Sequence, residues 1–279
     1  MDHPAIARGN VAVITGGASG IGLAVARALS SKGMRVCLAD LEQEALDAAT
    51  KTLDGEAIGV VVDVSVVSSL ETLHQTVVDR FGRVDVLMNN AGTGGGGPTC
   101  FGGADQWRRI LGVNLWGVLN GLQVFGEMML AQGTPGAIVN TGSKQGLTNP
   151  PGNPAYNISK AAVRRVTESL AAELRAREGG SVTAHLLVPG FTYTGMIAKS
   201  IPTRPPGAWT SEQVADRLLE RMGRGDFYIL CPDNEVTESM DHARMQWNLD
   251  DIVENRPALS RWHPDFKEAF GRFMDDAEG

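Results

Sequence analysis

A β-branched run, Val11-Ala12-Val13-Ile14, passes without a break into Thr15-Gly16-Gly17-Ala18-Ser19-Gly20-Ile21-Gly22. The first segment suits a strand buried on both faces. The second holds four glycines in eight residues and suits a tight turn that brings bare backbone close to a ligand. A helical pattern from Leu23 to Ser31 follows, with Gly33 at a C-cap position. A second strand, Arg35-Val36-Cys37-Leu38-Ala39, ends at Asp40. A strand, glycine turn, helix and strand in this order predict a βαβ unit built around a phosphate-sized recess.

The unit recurs in looser form. Residues 57–62 read as a strand, 68–81 as a helix and 84–88 as a strand. Residues 106–130 read as one helix, 137–140 as a strand, 155–177 as a helix and 182–188 as a strand, with a last strand-like run at 227–231. This alternation predicts an α/β fold, a single-domain doubly wound parallel sheet with helices on both faces. No Pro/Ser-rich linker and no fixed-period repeat divides residues 1–279. Residues 191–210 hold Pro202, Pro205 and Pro206 with little periodicity and are expected to form a lid. Residues 233–279 are expected to form a C-terminal extension, with Glu235 to Arg244 as a solvated helix face. Phe266, Phe270 and Phe273 lie at helical spacing after Pro264, as packing residues. The stripe Val163, Val166, Leu170 and Leu174 reads as a core face.

Composition narrows the function classes. The net charge of −7 argues against a general nucleic-acid binder. Cys37, Cys100 and Cys231 are widely spaced, which fits neither a zinc site nor a disulfide framework and points to a reducing compartment. No basic region followed by an apolar run opens the chain, and no apolar stretch reaches the ~20 residues of a membrane span. The expectation is a soluble, cytoplasmic protein with no membrane and no metal partner.

The turn and the second strand end suggest a dinucleotide. Gly16, Gly20 and Gly22 would supply the tight turn, the close approach and the helix–strand contact. Asp40 lies 18 residues beyond Gly22. A carboxylate there can accept both adenosine ribose hydroxyls and repels a 2′-phosphate. Leu41 follows, with no Arg or Lys nearby in sequence to offset that charge, so NAD is expected over NADP.

The Thr-Gly-x-x-x-Gly-x-Gly spacing differs from Gly-x-Gly-x-x-Gly, and with it the sequence resembles the short-chain dehydrogenase/reductase family. Asp63-Val64 resembles the family's aspartate beside the adenine. Asn89-Asn90-Ala91-Gly92 resembles its segment after the fourth strand, and Pro189-Gly190 with Thr194 its segment beside the nicotinamide. Asn114, Ser143, Tyr156 and Lys160 match its catalytic positions, and the motifs run in order across residues 11–194. The resemblance implies a Rossmann-like sheet and an NAD site made by Gly16, Ser19, Gly20, Ile21, Gly22, Asp40, Asp63, Val64, Asn90, Ala91, Gly92, Tyr156, Lys160, Pro189, Gly190 and Thr194. It also implies a small-molecule alcohol or ketone substrate and a homodimer or homotetramer that uses one face of the helix bearing Tyr156.

The centre of the chain reads independently as a proton-transfer site. Tyr156 and Lys160 are i and i+4, so one helix face presents both. A neighbouring ammonium favours phenolate, and Tyr156 could then exchange a proton near neutral pH. Ser143 sits at a strand end, where such sheets open their ligand crevice. By resemblance, Tyr156 is the acid/base, Ser143 steadies the substrate, Lys160 lowers the Tyr156 pKa and holds the nicotinamide ribose, and Asn114 anchors a water.

Thr141-Gly142-Ser143 departs from the family's paired serines, leaving the catalytic position intact. His185 reads as a core or interface residue, and Gly94-Gly95-Gly96-Gly97 as a flexible surface turn. Lys144, Gln145, Leu147, Asn153, Phe191, Tyr193, Met196 and Trp209 are expected to border the substrate. The leading reading is an NAD-dependent oxidoreductase for a secondary alcohol or ketone. A non-catalytic NAD-binding sensor or scaffold, and an epimerase or dehydratase of the same superfamily, stand beside it.

Overall fold

A computed structural model describes residues 1–94, 99–177, 179–198 and 201–278. Seven parallel strands lie in the order β3-β2-β1-β4-β5-β6-β7. They are β1 (Val11–Thr15), β2 (Arg35–Asp40), β3 (Ala57–Val61), β4 (Val86–Asn89), β5 (Gly136–Thr141), β6 (Val182–Val188) and β7 (Tyr228–Leu230). The main helices are α1 (Gly20–Ser31), α2 (Gln43–Thr50), α3 (Val67–Phe81), α4 (Ala104–Leu111), α5 (Gly117–Ala131), α6 (Gln145–Thr148) and α7 (Pro154–Ala176). They continue with α8 (Gly195–Ala198), α9 (Ser211–Gly223), α10 (Glu238–Val253) and α11 (Lys267–Glu278).

Alternation along β1 builds two cores. Ala12 and Ile14 face α1 and α9 through Leu29 and Leu218. Val11 and Val13 face α3 and α5 through Leu70 and Phe125. Each fully buried side chain of this size contributes about 1.5–3 kcal/mol. The strand order reverses between β1 and β4, which opens a crevice at their carboxyl ends. Gly33, at φ +83°, closes α1 as expected, its N–H reaching Ser30 O at 2.8 Å.

The structure departs from two expectations and adds one helix. The helix expected over 106–130 is two helices joined by a π-helical turn, Gly112–Trp116, in which Gly117 N–H reaches back to Gly112 O. The helix α2 lay outside the sequence reading, because only Leu46 and Ala49 of its eight residues are buried and its apolar stripe is thin. Within Glu235 to Arg244 the expected solvated face is interrupted by buried Asp241 and Ala243. Pro264 does begin a helical segment: a 3₁₀ turn, Pro264–Phe266, leads into α11. Phe270 and Phe273 pack edge-on against Trp247, at 5.3 and 5.2 Å between ring centres. Among the described residues no helix is long and apolar enough to cross a membrane.

Candidate active site

The glycine turn fits its crevice only without side chains. Gly16 has φ +63°, and a Cβ there would lie 2.8 Å from Ala91 Cα. A Cβ on Gly22 would run into Gly16 O and lie 2.7 Å from Asn90 Nδ2. Gly20, at φ +54°, lets Thr194 approach to within ordinary contact, 3.4 Å from a built Cβ. Ser19 offers α1 no side-chain cap, so the first-turn N–H groups of Gly20, Ile21 and Gly22 remain available to an anion. This cradle and the Asp40 carboxylate fit a dinucleotide. Asp40 Oδ2 accepts Ala18 N–H at 3.0 Å and Oδ1 accepts Leu41 N–H at 2.8 Å, which aims the carboxylate at the turn.

Asn90 ties three strand ends together. Its Nδ2 donates to Thr15 O and Gly16 O, both at 3.2 Å, and its Oδ1 accepts from Thr141 Oγ1 at 3.2 Å. Thr15 Oγ1 in turn accepts Asn90 N–H at 3.0 Å and Ala91 N–H at 3.1 Å. Asp63 Oδ1 accepts the N–H and hydroxyl of Ser65 at 2.9 and 2.6 Å, an Asx turn that presents Val64 to Asn120 through its carbonyl.

Ser143 leaves β5, and Tyr156 and Lys160 stand on the first turns of α7, whose start Pro154 favours at N1. The neighbouring Ser143 hydroxyl acts to lower the Tyr156 pKa. Burial is the larger influence and raises it above the usual phenol range. The i, i+4 spacing of Tyr156 and Lys160 predicts that the ammonium of Lys160 lowers it. In the protein alone, Lys160 Nζ instead donates to Thr141 O at 2.8 Å and lies 5.9 Å from the centre of the Tyr156 ring. Burial brings Lys160 down to about 8.

Asn114 is fully buried in the π-helical turn. Its Oδ1 accepts Thr93 N–H at 2.7 Å, and its Nδ2 donates to Thr93 O and Ser159 Oγ, both at 3.0 Å. Ser159 Oγ donates to Tyr156 O at 2.7 Å, which links Asn114 to the Tyr156 turn. Nothing in the sequence singled out Thr93 or Ser159, and Thr141 stood out only as a departure from the family's paired serines. Only the i+3 spacing of Ser159 from Tyr156 could have suggested one of them.

Pro189 and Gly190 follow β6, and Lys144 crosses directly beneath them. A Cβ on Gly190 would meet Lys144 Nζ at 2.8 Å. Lys144 was expected at the substrate border. Its ammonium is instead committed to Asp241 Oδ2 at 2.6 Å and Asp233 Oδ2 at 3.5 Å. The segment 191–210 is pinned at its ends: Trp209 N–H reaches Phe191 O at 2.9 Å and Tyr193 N–H reaches Trp209 O at 2.8 Å. The Tyr193 hydroxyl donates to Pro202 O at 2.7 Å. A cavity of about 360 Å³ opens between Gly20, Thr194, Arg204 and Ser211. Within 191–210, residues 199–200 and the side chain of Met196 lie outside the described residues, as do Gly95, Gly96 and Gly97 of the glycine run.

His185 is structural, as expected. It lies edge-on to His3, with 5.4 Å between ring centres, and both rings reach Thr183 Oγ1, at 2.9 and 3.1 Å. Burial and the nearby His185 lower the His3 pKa to about 4.

The doubly wound parallel sheet, the glycine turn at its switch point and the Ser-Tyr-Lys cluster define a class of α/β oxidoreductases. Residues 10–205 match the family model described as short chain dehydrogenase. The chain belongs to the short-chain dehydrogenase/reductase family, whose members bind a nicotinamide cofactor and act on small molecules. A short-chain dehydrogenase/reductase from Burkholderia phymatum, solved in complex with NAD, superposes with a TM-score of 0.81 at 36% identity, covering 90% of this chain and 96% of that one. The meso-2,3-butanediol dehydrogenase of Serratia marcescens is 35% identical over 216 residues, 77% of this chain and 80% of that protein. The 3-oxoacyl-[acyl-carrier-protein] reductase of Thermotoga maritima is 34% identical over 194 residues, 68% of this chain and 77% of that protein.

Proposed function

We propose that this protein is an NAD-dependent oxidoreductase acting on a secondary alcohol or the matching ketone, with Tyr156 as general acid/base. The observation that carries the reading is the cluster of Tyr156 and buried Lys160, one turn apart on α7, with Ser143 just past the end of β5, at the carboxyl edge of the sheet. A bound nicotinamide supplies the hydride acceptor or donor, and its positive charge when oxidised favours the Tyr156 phenolate. The Tyr156 oxygen, as phenolate, takes the alcohol proton and, as phenol, returns it to a ketone. The Ser143 hydroxyl donates to the substrate oxygen as charge gathers there. Lys160 holds a positive charge in the same crevice, and Asn114 fixes the turn beneath Tyr156 through Ser159.

Asp40 supports NAD over NADP, because its carboxylate faces the turn where the adenosine ribose would lie. The NAD complex of the Burkholderia relative agrees with this choice. Exposed Trp116 and Ile158, on the outer side of the catalytic helices, suit assembly as a homodimer or homotetramer. Turnover of a panel of secondary alcohols with NAD and with NADP tests the reading. Reduction of NAD by at least one alcohol, at a higher kcat/KM than with NADP, is expected. NAD binding without any turnover would favour the sensor reading instead.

A further inference from the structure

Asp241 lies in the first turn of α10 and is buried, with one cation in contact with its carboxylate and the charges of two more, Arg244 and Arg261, acting on it from beyond ion-pair distance. Lys144 Nζ lies 2.6 Å away. Arg244 is one turn further along α10, and its charge acts on Asp241. Arg261, from the turn Ser260–Trp262, has its guanidinium over the rings of Trp262 and Phe270, at 4.8 and 5.2 Å. Asp233 is the second anion of the group, at 3.5 Å from Lys144. Its other carboxylate oxygen is taken by the N–H groups of Glu235 and Val236.

Three positive charges therefore face two negative ones. Lys144 holds the Asp241 and Asp233 carboxylates at close range. Among the described residues, Arg244 and Arg261 have no carboxylate within ion-pair distance, and the buried Nε of Arg244 donates to nothing. The two guanidinium groups act on each other as like charges, and burial together with Arg244 brings Arg261 down to about 10. Partly buried cations side by side are costly unless an anion joins them. Guanidinium groups match the paired oxygens of carboxylates and phosphates. The cluster also adjoins the chemistry: Lys144 directly follows Ser143, and α10 packs against α6, which begins at Gln145.

We propose that Arg244 and Arg261 form a subsite for one anionic group, a carboxylate or phosphate ester, carried by the substrate at the end remote from its alcohol. The substrate's part in this rests on the oxidoreductase reading above, whereas the existence of the site does not. The C-terminal extension then selects substrates, and Lys144 positions it by fastening Asp241 beside Ser143.

The test uses the NAD-saturated enzyme, so that the glycine turn is filled. Calorimetric titration with inorganic phosphate should show saturable binding, and a parallel titration with acetate tells a preference for carboxylate. Arg244→Gln or Arg261→Gln should weaken binding about tenfold or more, as expected for loss of a charged hydrogen bond. Arg261→Lys should recover part of it. NAD affinity unchanged in each variant shows that the fold is intact. Absence of phosphate and acetate binding to the wild type overturns the site without touching the oxidoreductase reading. In turnover, a hydroxy acid should be preferred to its methyl ester, and the preference should vanish in both variants. Anion binding with no acid–ester preference overturns the substrate role. Anion binding with no turnover of any alcohol leaves the site standing and sinks the oxidoreductase reading.

Discussion

Lys160 Nζ lies 2.8 Å from Thr141 O and 5.9 Å from the centre of the Tyr156 ring, so its charge is held by backbone rather than by the phenol. Burial lowers its pKa from 10.5 to about 8. Between those values the unfolded chain keeps the proton and the folded protein releases it, so the Lys160 contribution to stability rises with pH across that window. Denaturant unfolding of wild type and Lys160→Met should therefore converge or cross as pH rises from about 8 to about 10.5. A difference that stays constant with pH would contradict the burial of this ammonium.

Asp40 holds Ala18 N–H at 3.0 Å and is the only carboxylate proposed for ribose recognition. Asp40→Ala should raise KM for NAD by about tenfold or more, since it removes charged hydrogen bonds, and should narrow the preference over NADP. Steady-state kinetics with both cofactors checks this. An NADP preference in the wild type would remove the assignment.

Two glycine substitutions should move stability in opposite directions. Gly22→Ala forces a methyl against Gly16 O and Asn90 Nδ2 and should cost about 1–3 kcal/mol. Gly126, within α5, has nothing within 4 Å of a built Cβ. Gly126→Ala should gain about 0.5–1 kcal/mol through helix propensity. Urea unfolding of both variants measures the contrast, and equal effects would mean that the turn is not close-packed.

These positions also show what the chain disclosed before folding. The glycine turn, Asp40 and the Tyr156–Lys160 pair were legible because each is local: a strand run, a fixed spacing or one helix face. The π-helical turn at Asn114 was not, because its residues continue an ordinary helical pattern and the bulge is set by contacts to Thr93 and Ser159 from elsewhere in the chain. Lys144 looked like a pocket residue, since its partners Asp233 and Asp241 lie about ninety residues away in sequence and only the fold unites them. Asp241 looked solvated for the same reason.

The segment 191–210 is anchored by Trp209 and braced by the Tyr193 hydroxyl on Pro202 O. As a lid it should close over cofactor and substrate and exclude water. Amide exchange across residues 195–208 should slow in the presence of NAD and an alcohol together. The same exchange in both states would identify a fixed surface loop.

The central claim is that the Tyr156 hydroxyl carries the proton. Single-turnover reduction of NAD by a substrate alcohol, compared between wild type and Tyr156→Phe, tests it most directly. The substitution removes one oxygen and little volume, and NAD affinity should stay within about threefold, as for a group that adds little to ground-state binding. The hydride-transfer step should slow by about 10²–10⁴-fold or more, the usual contribution of a positioned acid/base. A Tyr156→Phe enzyme that reduces NAD at the wild-type rate would falsify the assignment.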